Sequence, residues 1–251
     1  MTVKRRNLVL TLGALTIAPT FAMGKGPHPT DERIAALLAV GEEETAAVLK
    51  EPFVTEVAAG TLAKDAFAWY FAQNLHYLEN YALAFDRFGE RLDGEDRALC
   101  RRWADETRGM IPWTAGLFTK IIGGQPEESA YDALRPTTAA YMRHELESAE
   151  RAPLLAGFAA LLPCFTVYER MGMTIARTRK LEGNPYAEWL AAYGDLAYSE
   201  TVATALGLAE RLGRNAMPDE WELAKTAYRT SCAFERRLFR AAYTLEKADP
   251  S

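Results

Sequence analysis

Apolar side chains recur every three or four residues along most of the chain, the spacing of helices that bury one face. A first helix follows Thr30, a suitable N-cap residue, and places Ile34, Leu37 and Leu38 on one face. The same spacing predicts six further helical tracts, at 64–91, 94–122, 136–149, 153–181, 185–212 and 219–245. No segment alternates apolar and polar residues for long enough to require a sheet. The pattern therefore predicts an all-α fold, a single-domain helical bundle.

Turn-forming residues separate these tracts. They are Ala59-Gly60, the Gly-Gly-Gln-Pro run at 123–126, Gly-Asn-Pro at 183–185, and Gly-Arg-Asn at 213–215. Pro112 lies within the 94–122 tract, where a proline kinks or breaks a helix.

The first 24 residues read as a separate segment. Lys4, Arg5 and Arg6 precede an uncharged stretch at 8–22, and Ala22-Met23-Gly24 has the small-residue pattern of a cleavage site. The paired arginines resemble a twin-arginine export signal. We therefore predict a cleaved signal at 1–24, a linker at 25–29, a helical domain at 30–247 and a periplasmic location.

The alternative for this leader is a buried helix or membrane anchor, although 8–22 is short for a bilayer span. In that case the protein is cytoplasmic or anchored. No later segment is predicted to cross a membrane, so the chain without its leader is expected to be free of the membrane.

Charge and cysteine content exclude several classes of function. With 29 Lys and Arg against 34 Asp and Glu, the net charge of −5 offers no basic field for nucleic acid. The three cysteines lack CxxC spacing, and no histidine has the ExxH spacing of helical di-iron sites. Phosphate-binding glycine loops are also missing from the sequence. We therefore expect no metal, no cofactor and no nucleic acid.

Two residues are candidates for chemistry, each with an ordinary alternative. Cys164 lies on an apolar helix with Tyr168 one turn later, although a buried cysteine is often only a small hydrophobic residue. Glu235 borders the apolar stripe of the last helix, where it could instead pair with Arg236 or Arg237 on the surface.

Rings with polar tips recur at helical spacing in several tracts. Such a stripe of side chains more often forms part of a hydrophobic core than the wall of a pocket. However, each buried hydroxyl group needs a hydrogen-bond partner, and so many of them suggest a cavity that binds a flat ring. The rings are Trp69, Tyr70, Tyr77, Tyr81, Tyr141, His144, Tyr193 and Tyr198, and the amides Gln73 and Asn74 and the imidazole of His76 lie in the same tract as the first four.

Several segments together resemble the TenA family, also called thiaminase II, over about residues 33–245. The most specific is Leu161-Leu162-Pro163-Cys164 with Tyr168, supported by the distant Phe234-Glu235. The other segments are Pro52-Phe53-Val54, Gly60-Thr61-Leu62, Phe67, Tyr70, Gln73-Asn74, Tyr77-Leu78, Tyr141-Met142-Arg143-His144, Tyr186 with Trp189, Tyr193-Gly194 and Ala242-Tyr243.

This resemblance implies a haem-oxygenase-like bundle and a cofactor-free hydrolase of 4-amino-2-methylpyrimidine compounds. Aminomethylpyrimidine or thiamine would yield hydroxymethylpyrimidine, with Cys164 as the thiol nucleophile and Glu235 moving protons. The resemblance also implies a homotetramer. Its substrate-binding residues would be Asn74, Tyr77, Tyr141, Tyr168 and Tyr193.

One position departs from the family. Cysteine-bearing members generally carry a Gln-Asp pair where this chain has Gln73-Asn74, and a neutral amide cannot accept the charge of an amidine edge. A second hypothesis is therefore a pyrimidine-binding protein without catalysis. A third, an oxygenase or ring-closing enzyme of the same fold group, would require haem or iron to copurify.

Overall fold

The computed structural model describes residues 31–248, and no strand occurs among them. The helices are α1 (Glu32–Ala39), α2 (Glu42–Val48), α3 (Pro52–Ala59), α4 (Lys64–Gly89), α5 (Gly94–Ile121), α6 (Pro136–Arg151), α7 (Leu154–Thr178), α8 (Ala187–Ala191), α9 (Leu196–Gly213) and α10 (Pro218–Thr244), with a 3₁₀ turn at Pro126–Glu128. The all-α prediction is confirmed. The predicted signal at 1–24 and linker at 25–29 lie outside the described residues.

Local sequence accounts for most helix boundaries. Asp31, rather than the predicted Thr30, is the N-cap of α1, because its carboxylate accepts hydrogen bonds from the backbone N–H groups of Arg33 and Ile34. Thr30 itself lies outside the described residues. Gly60 ends α3 with a φ of 74°, a left-handed conformation that favours glycine. The α5 helix continues through Pro112 without a break.

The structure differs from the predicted tracts in two places. The single tract predicted at 185–212 is two helices, α8 and α9. Asp195 is the N-cap of α9, because its carboxylate accepts a hydrogen bond from the Tyr198 N–H. The short helices α2 and α3 were not predicted. They have seven and eight residues, too few for a clear apolar period.

The bundle is organised around α4, α6, α7 and α10. The α4 helix packs against α5 and α6, and α7 packs against α6, α9 and α10. The expectation that no later segment is long and apolar enough to cross a membrane is wrong for α7 by length and composition. However, 78% of its most apolar stretch is buried inside the domain, as in a core helix.

An aromatic core holds α3, α4, α8 and α10 together. Tyr70 stacks on Phe239 with ring centres 5.6 Å apart, and Phe53 and Trp189 close around the Tyr70 ring. Trp69 is also buried, so the ordinary core interpretation holds for this part of the predicted stripe.

A close backbone contact brings the segment before α9 onto α7. A Cβ added to Gly172 would lie 2.3 Å from the backbone C and O of Tyr193, so only glycine permits this approach. The contact places the Tyr193 ring 4.9 Å from the Tyr168 ring. Two predicted site residues from different elements thereby become neighbours.

Candidate active site

Four helices bring a thiol, two carboxyl groups and two tyrosines into one buried cluster. We call this the thiol–carboxyl cluster: Tyr77 from α4, Tyr141 and Glu145 from α6, Cys164 from α7, and Glu235 from α10. Each residue lies on the inner face of its helix. The cluster includes four residues predicted from the sequence and one, Glu145, that was not.

Cys164 is the most accessible of the three cysteines. It is partly exposed, whereas Cys100 and Cys232 are buried, and all three are free thiols. Cys100 lies against Gly89 and Cys232 against Gly41, and no disulfide joins these two cysteines. Accessibility within an otherwise buried cluster is what a nucleophile requires.

The surroundings of Cys164 keep its thiol protonated at neutral pH. Burial raises its pKa well above the ordinary value, and the negative charges of Glu235 and Glu145 act in the same direction. Hydrogen bonds with the hydroxyls of Tyr77 and Tyr81 oppose this and lower the pKa. The thiol therefore needs a base before it can attack a substrate.

Glu235 is buried, with 1% of its side chain surface exposed. The Tyr141 hydroxyl donates a hydrogen bond to its Oε1 at 2.9 Å. Burial raises the pKa of Glu235 to about 8, although the hydroxyls of Tyr141 and Tyr168 lower it. The carboxyl can therefore both donate and accept a proton near neutral pH.

The alternative of a surface ion pair between Glu235 and Arg236 or Arg237 is wrong, because Glu235 is buried and forms no salt bridge with a described residue. The Arg236 Nε donates to Glu51 Oε1 at 2.8 Å, on the other side of α10. Successive residues of a helix point about 100° apart, so Arg236 faces α3 while Glu235 faces the cluster.

Glu145 is the residue that the sequence analysis missed. It is fully buried, and the Tyr77 hydroxyl donates to its Oε1 at 2.9 Å. Burial raises its pKa well above the ordinary value, and the charge of Glu235 adds to the rise. Glu145 lies among charged residues in the sequence, but its position four residues after Tyr141 places both on one helix face and could have indicated it.

Neither carboxyl group has a compensating cation. No Lys, Arg or His within residues 31–248 forms a salt bridge with Glu145 or Glu235. Their Oε2 atoms are buried and have no hydrogen-bond partner in this part of the chain. Free buried oxygens of this kind suit a ligand that donates hydrogen bonds or carries positive charge.

The remaining predicted tyrosines form a second layer beside the cluster. The hydroxyls of Tyr168 and Tyr70 are 2.7 Å apart, and the Tyr198 hydroxyl donates to the Cys164 carbonyl oxygen at 3.0 Å. The Tyr193 ring packs between Tyr168 and Tyr198. Burial raises the pKa of each of these hydroxyls, so all remain neutral donors.

Gln73 and Asn74 serve different purposes. The Gln73 amide nitrogen donates to the carbonyls of Tyr131 and Ala133, and its oxygen accepts from the Arg135 N–H, which fixes the segment leading into α6. Asn74 is also buried, but its side chain has no hydrogen bond to any described residue. Its amide is thus available for a ligand.

A thiol beside two carboxyl groups and several neutral hydroxyls can carry out nucleophilic addition with proton transfer.

The predicted absence of a metal is not tested by the structure. No group of three or more His, Cys, Asp and Glu side chains between residues 31 and 248 is arranged to hold a metal ion.

Comparison with known proteins places this architecture in a family. The TENA/THI-4/PQQC family profile matches residues 46–245. An aminopyrimidine aminohydrolase of Bacillus subtilis is 26% identical over 199 residues, covering 78% of this chain and 83% of the relative. The thiamine biosynthesis multifunctional protein ThiED of Corynebacterium efficiens is 26% identical over 230 residues, covering 92% of this chain. This chain spans 31% of that protein's length and 28% of the Corynebacterium glutamicum ThiED.

Solved structures agree on the fold. A TenA homologue from P. horikoshii OT3 superposes with a TM-score of 0.76 at 21% identity, covering 84% of this chain and 98% of the other. A domain with a haem oxygenase-like fold from Shewanella denitrificans superposes with a TM-score of 0.68 at 15% identity, covering 84% of this chain and 92% of that domain. The predicted haem-oxygenase-like bundle is confirmed.

Proposed function

Because the chain belongs to the TENA/THI-4/PQQC family, we propose that it is a cofactor-free hydrolase of 4-amino-2-methylpyrimidine compounds. Aminomethylpyrimidine and thiamine are the candidate substrates, and hydroxymethylpyrimidine is the product. The observation that carries the proposal is the meeting of Cys164 with Glu235 in one buried cluster, from helices far apart in sequence. The similarity to aminopyrimidine aminohydrolases supports the same chemistry.

In the proposed reaction the Cys164 thiolate adds to the pyrimidine ring, and the group on the exocyclic methylene departs with its bonding electrons. Water then adds to the methylene carbon and loses a proton, and the thiolate is expelled from the ring. No oxidant or reductant is needed. The leaving group is ammonia from aminomethylpyrimidine or the thiazole from thiamine.

Glu235 is the proposed proton carrier for the ring and the leaving group. A carboxyl with a pKa of about 8 is protonated in a substantial fraction of molecules at neutral pH, so it can protonate the departing group. Once ionised, the same carboxylate can take a proton from water. The Tyr141 hydroxyl, at 2.9 Å, holds it in place.

The aromatic side chains provide the proposed ring site. Tyr77, Tyr141, Tyr168 and Tyr193 would orient the pyrimidine, as the resemblance implies, and Asn74 would hydrogen-bond its amidine edge. Asn74 offers a neutral amide, and a charge-assisted bond contributes about 1.5 to 3 kcal/mol against about 1 for a neutral one. Turnover should therefore be slower than with an aspartate by roughly 2- to 30-fold.

Asn74 also motivates the second candidate function, a pyrimidine-binding protein without turnover. Such a protein would use the same unpartnered polar groups to hold its ligand. It differs from the hydrolase in one observable respect: it gives saturable binding but no product.

The experiment is to incubate the purified protein under reducing conditions with thiamine or aminomethylpyrimidine and to follow hydroxymethylpyrimidine by chromatography. Product that disappears in Cys164→Ala and persists in the matched Cys100→Ala variant supports the hydrolase. Normal turnover in Cys164→Ala overturns it. No product, together with a ligand-dependent rise in melting temperature, supports the binding protein.

Export and assembly remain predictions from the sequence and the family resemblance. If residues 1–24 act as a signal, the protein meets thiamine breakdown products outside the cytoplasm. Cell fractionation with N-terminal sequencing tests this location, and light scattering of the purified protein tests the predicted tetramer.

A further inference from the structure

Two tyrosine–glutamate pairs lie side by side in the thiol–carboxyl cluster. The Tyr77 hydroxyl donates to Glu145 Oε1 at 2.9 Å, and the Tyr141 hydroxyl donates to Glu235 Oε1 at 2.9 Å. The two tyrosine rings pack together, with their centres 5.3 Å apart. Each carboxyl group therefore has one oxygen held by a hydroxyl, and the two pairs are neighbours.

The second oxygen of each carboxyl group has no such partner. The Oε2 atoms of Glu145 and Glu235 are buried and form no hydrogen bond with any residue from 31 to 248. Buried polar atoms are hydrogen-bonded in the great majority of cases, so two exceptions in one cluster require an explanation. Both atoms belong to side chains that are almost completely buried, which means that bulk water does not solvate them.

No positively charged side chain compensates the two carboxyl groups. In the described part of the chain neither forms a salt bridge, and no Lys, Arg or His lowers the pKa of either. The arginines that follow Glu235 are engaged elsewhere, Arg236 with Glu51 and Arg237 over the Phe234 ring. Burying carboxyl groups in this way costs stability, and groups of this kind cluster at functional sites.

Both candidate substrates carry a positive charge on the group that leaves. The alkylamine of aminomethylpyrimidine is protonated at neutral pH, as the amine of a lysine side chain is. The thiazolium ring of thiamine is a permanent cation. The product, hydroxymethylpyrimidine, carries a neutral hydroxyl group on the same methylene carbon. The charge of this substituent therefore distinguishes the substrates from the product.

We infer that Glu145 is a specificity-determining residue whose Oε2 atom binds the cationic substituent on the methylene carbon of the substrate, beside Glu235. The inference rests on the proposed function. A carboxyl group attracts an ammonium or thiazolium group more strongly than a neutral hydroxymethyl group. Cationic substrates are thereby retained and the neutral product is released. Glu235 remains the proton carrier of the proposed reaction.

Binding of a cation should release a proton from the cluster. Burial raises the pKa of Glu145 well above its ordinary value, and a cation beside the carboxyl group favours its ionised form. Affinity for a cationic ligand should therefore rise with pH. The other titratable groups that face Glu145 are Tyr77 and Tyr81 from α4, Tyr141 from α6, Cys164 from α7 and Glu235 from α10. Burial raises the pKa of the three tyrosines, so they stay neutral in this range.

The test compares two ligands that differ in this one substituent. Aminomethylpyrimidine and hydroxymethylpyrimidine are titrated by calorimetry into the full chain carrying Cys164→Ala, which removes the proposed nucleophile. In this background the variants are Glu145→Gln and Glu145→Asp, and the matched control is Glu147→Gln on the exposed face of α6. Binding of hydroxymethylpyrimidine shows that the site of each variant is intact. Thiamine, whose thiazolium charge does not depend on pH, is titrated at several pH values around neutrality.

We expect Glu145→Gln to weaken the binding of aminomethylpyrimidine about tenfold and to leave that of hydroxymethylpyrimidine within about twofold, because only the charged contact is lost. Glu145→Asp should keep part of the preference, and Glu147→Gln should keep all of it. The affinity for thiamine should rise with pH, and less steeply in Glu145→Gln. With Cys164 present, Glu145→Gln should raise the KM for aminomethylpyrimidine about tenfold with little change in kcat.

Unchanged affinity of Glu145→Gln for aminomethylpyrimidine overturns the inference. Equal weakening of both pyrimidines also overturns it, since Glu145 would then maintain the shape of the site and not recognise charge.

Failure of the proposed function gives a different result. If the unmodified chain hydrolyses nothing but Glu145→Gln selectively loses aminomethylpyrimidine, the proposed function is wrong and the inference stands. If the unmodified chain hydrolyses aminomethylpyrimidine while Glu145→Gln binds both pyrimidines normally, the inference is wrong and the proposed function stands. Absence of binding by either pyrimidine overturns both.

Discussion

The two faces of α10 bury carboxylates in opposite ways. On the side of α3, Glu51 is 4% exposed and bound by Arg236 and Arg240, with nitrogen to Oε1 distances of 2.8 and 2.9 Å. On the side of the cluster, Glu235 and Glu145 are 1% and 0% exposed and have no cation within residues 31–248. We call Glu51 with its two arginines the ion-pair face.

The ion-pair face contributes to stability, whereas the thiol–carboxyl cluster provides groups suited to a function. A compensated buried charge holds elements together, here α3 and α10, and leaves nothing for a ligand. An uncompensated pair of carboxyl groups costs stability, and its free oxygens can serve a ligand or a proton. Substitutions on the two faces should therefore have opposite consequences.

The largest expected effect is that of Glu235→Gln on turnover. An amide cannot carry a proton between ring and leaving group, so kcat should fall by about 10²- to 10⁴-fold. Because the variant removes a buried ionisable group, its melting temperature at pH 8 should equal or exceed that of the parent. Steady-state kinetics and calorimetry check both expectations. A variant that is inactive because it unfolds would contradict the idea that Glu235 serves function at a cost in stability.

The pH dependence of stability should show the cost of the cluster. The pKa of Glu235 is about 8 in the folded protein against 4.5 for the free group, so the folded state binds its proton more tightly. Its contribution is fully present below pH 4.5 and is lost as the pH rises toward 8, which amounts to a few kcal/mol in the free energy of unfolding. Urea denaturation from pH 5 to 8 measures the decline, and the decline should be shallower in Glu235→Gln.

The reverse outcome is expected on the ion-pair face. Glu51→Gln leaves two guanidinium groups without their shared carboxylate, and because both arginines are partly exposed the loss in unfolding free energy should be about 2 kcal/mol. The kcat should stay within twofold of the parent. A large loss of kcat with unchanged stability would mean that the two faces are not independent.

The smallest expected effect is that of a substitution at Asn74, within the proposed ring site. Asn74→Asp introduces the acidic residue that the family resemblance implies at this position. If the proposed contact with the amidine edge is correct, a charge-assisted bond in place of a neutral one should raise kcat/KM for aminomethylpyrimidine by about tenfold. A third buried carboxylate should also lower the melting temperature at pH 8. Unchanged kcat/KM would show that Asn74 does not contact the amidine edge.

The long helices could be predicted from the sequence, because apolar periodicity over 25 residues is a strong pattern. Cys164 could be picked out as a candidate because it lies in the segment that most specifically carries the family resemblance. The short α2 and α3 helices could not, since their stability comes from packing on α10.

Burial was the hardest feature to predict. Glu235 and Glu145 lie beside arginines and other acidic residues in the sequence, as surface residues do. Only the packing of α6 and α10 against α7 removes them from water. Family resemblance indicated Glu235 despite this, and Glu145 had no such help because it is not among the segments that carry the resemblance.

The adjacent residues Gln73 and Asn74 differ in how freely each could be replaced during evolution. Gln73 is bound on both ends of its amide to the segment before α6, so replacing it would displace the helix that carries Tyr141 and Glu145. Asn74 has no side-chain hydrogen bond to a described residue, so a substitution there breaks no such bond within the scaffold. Folding therefore constrains position 73, whereas position 74 can change with little effect on the fold.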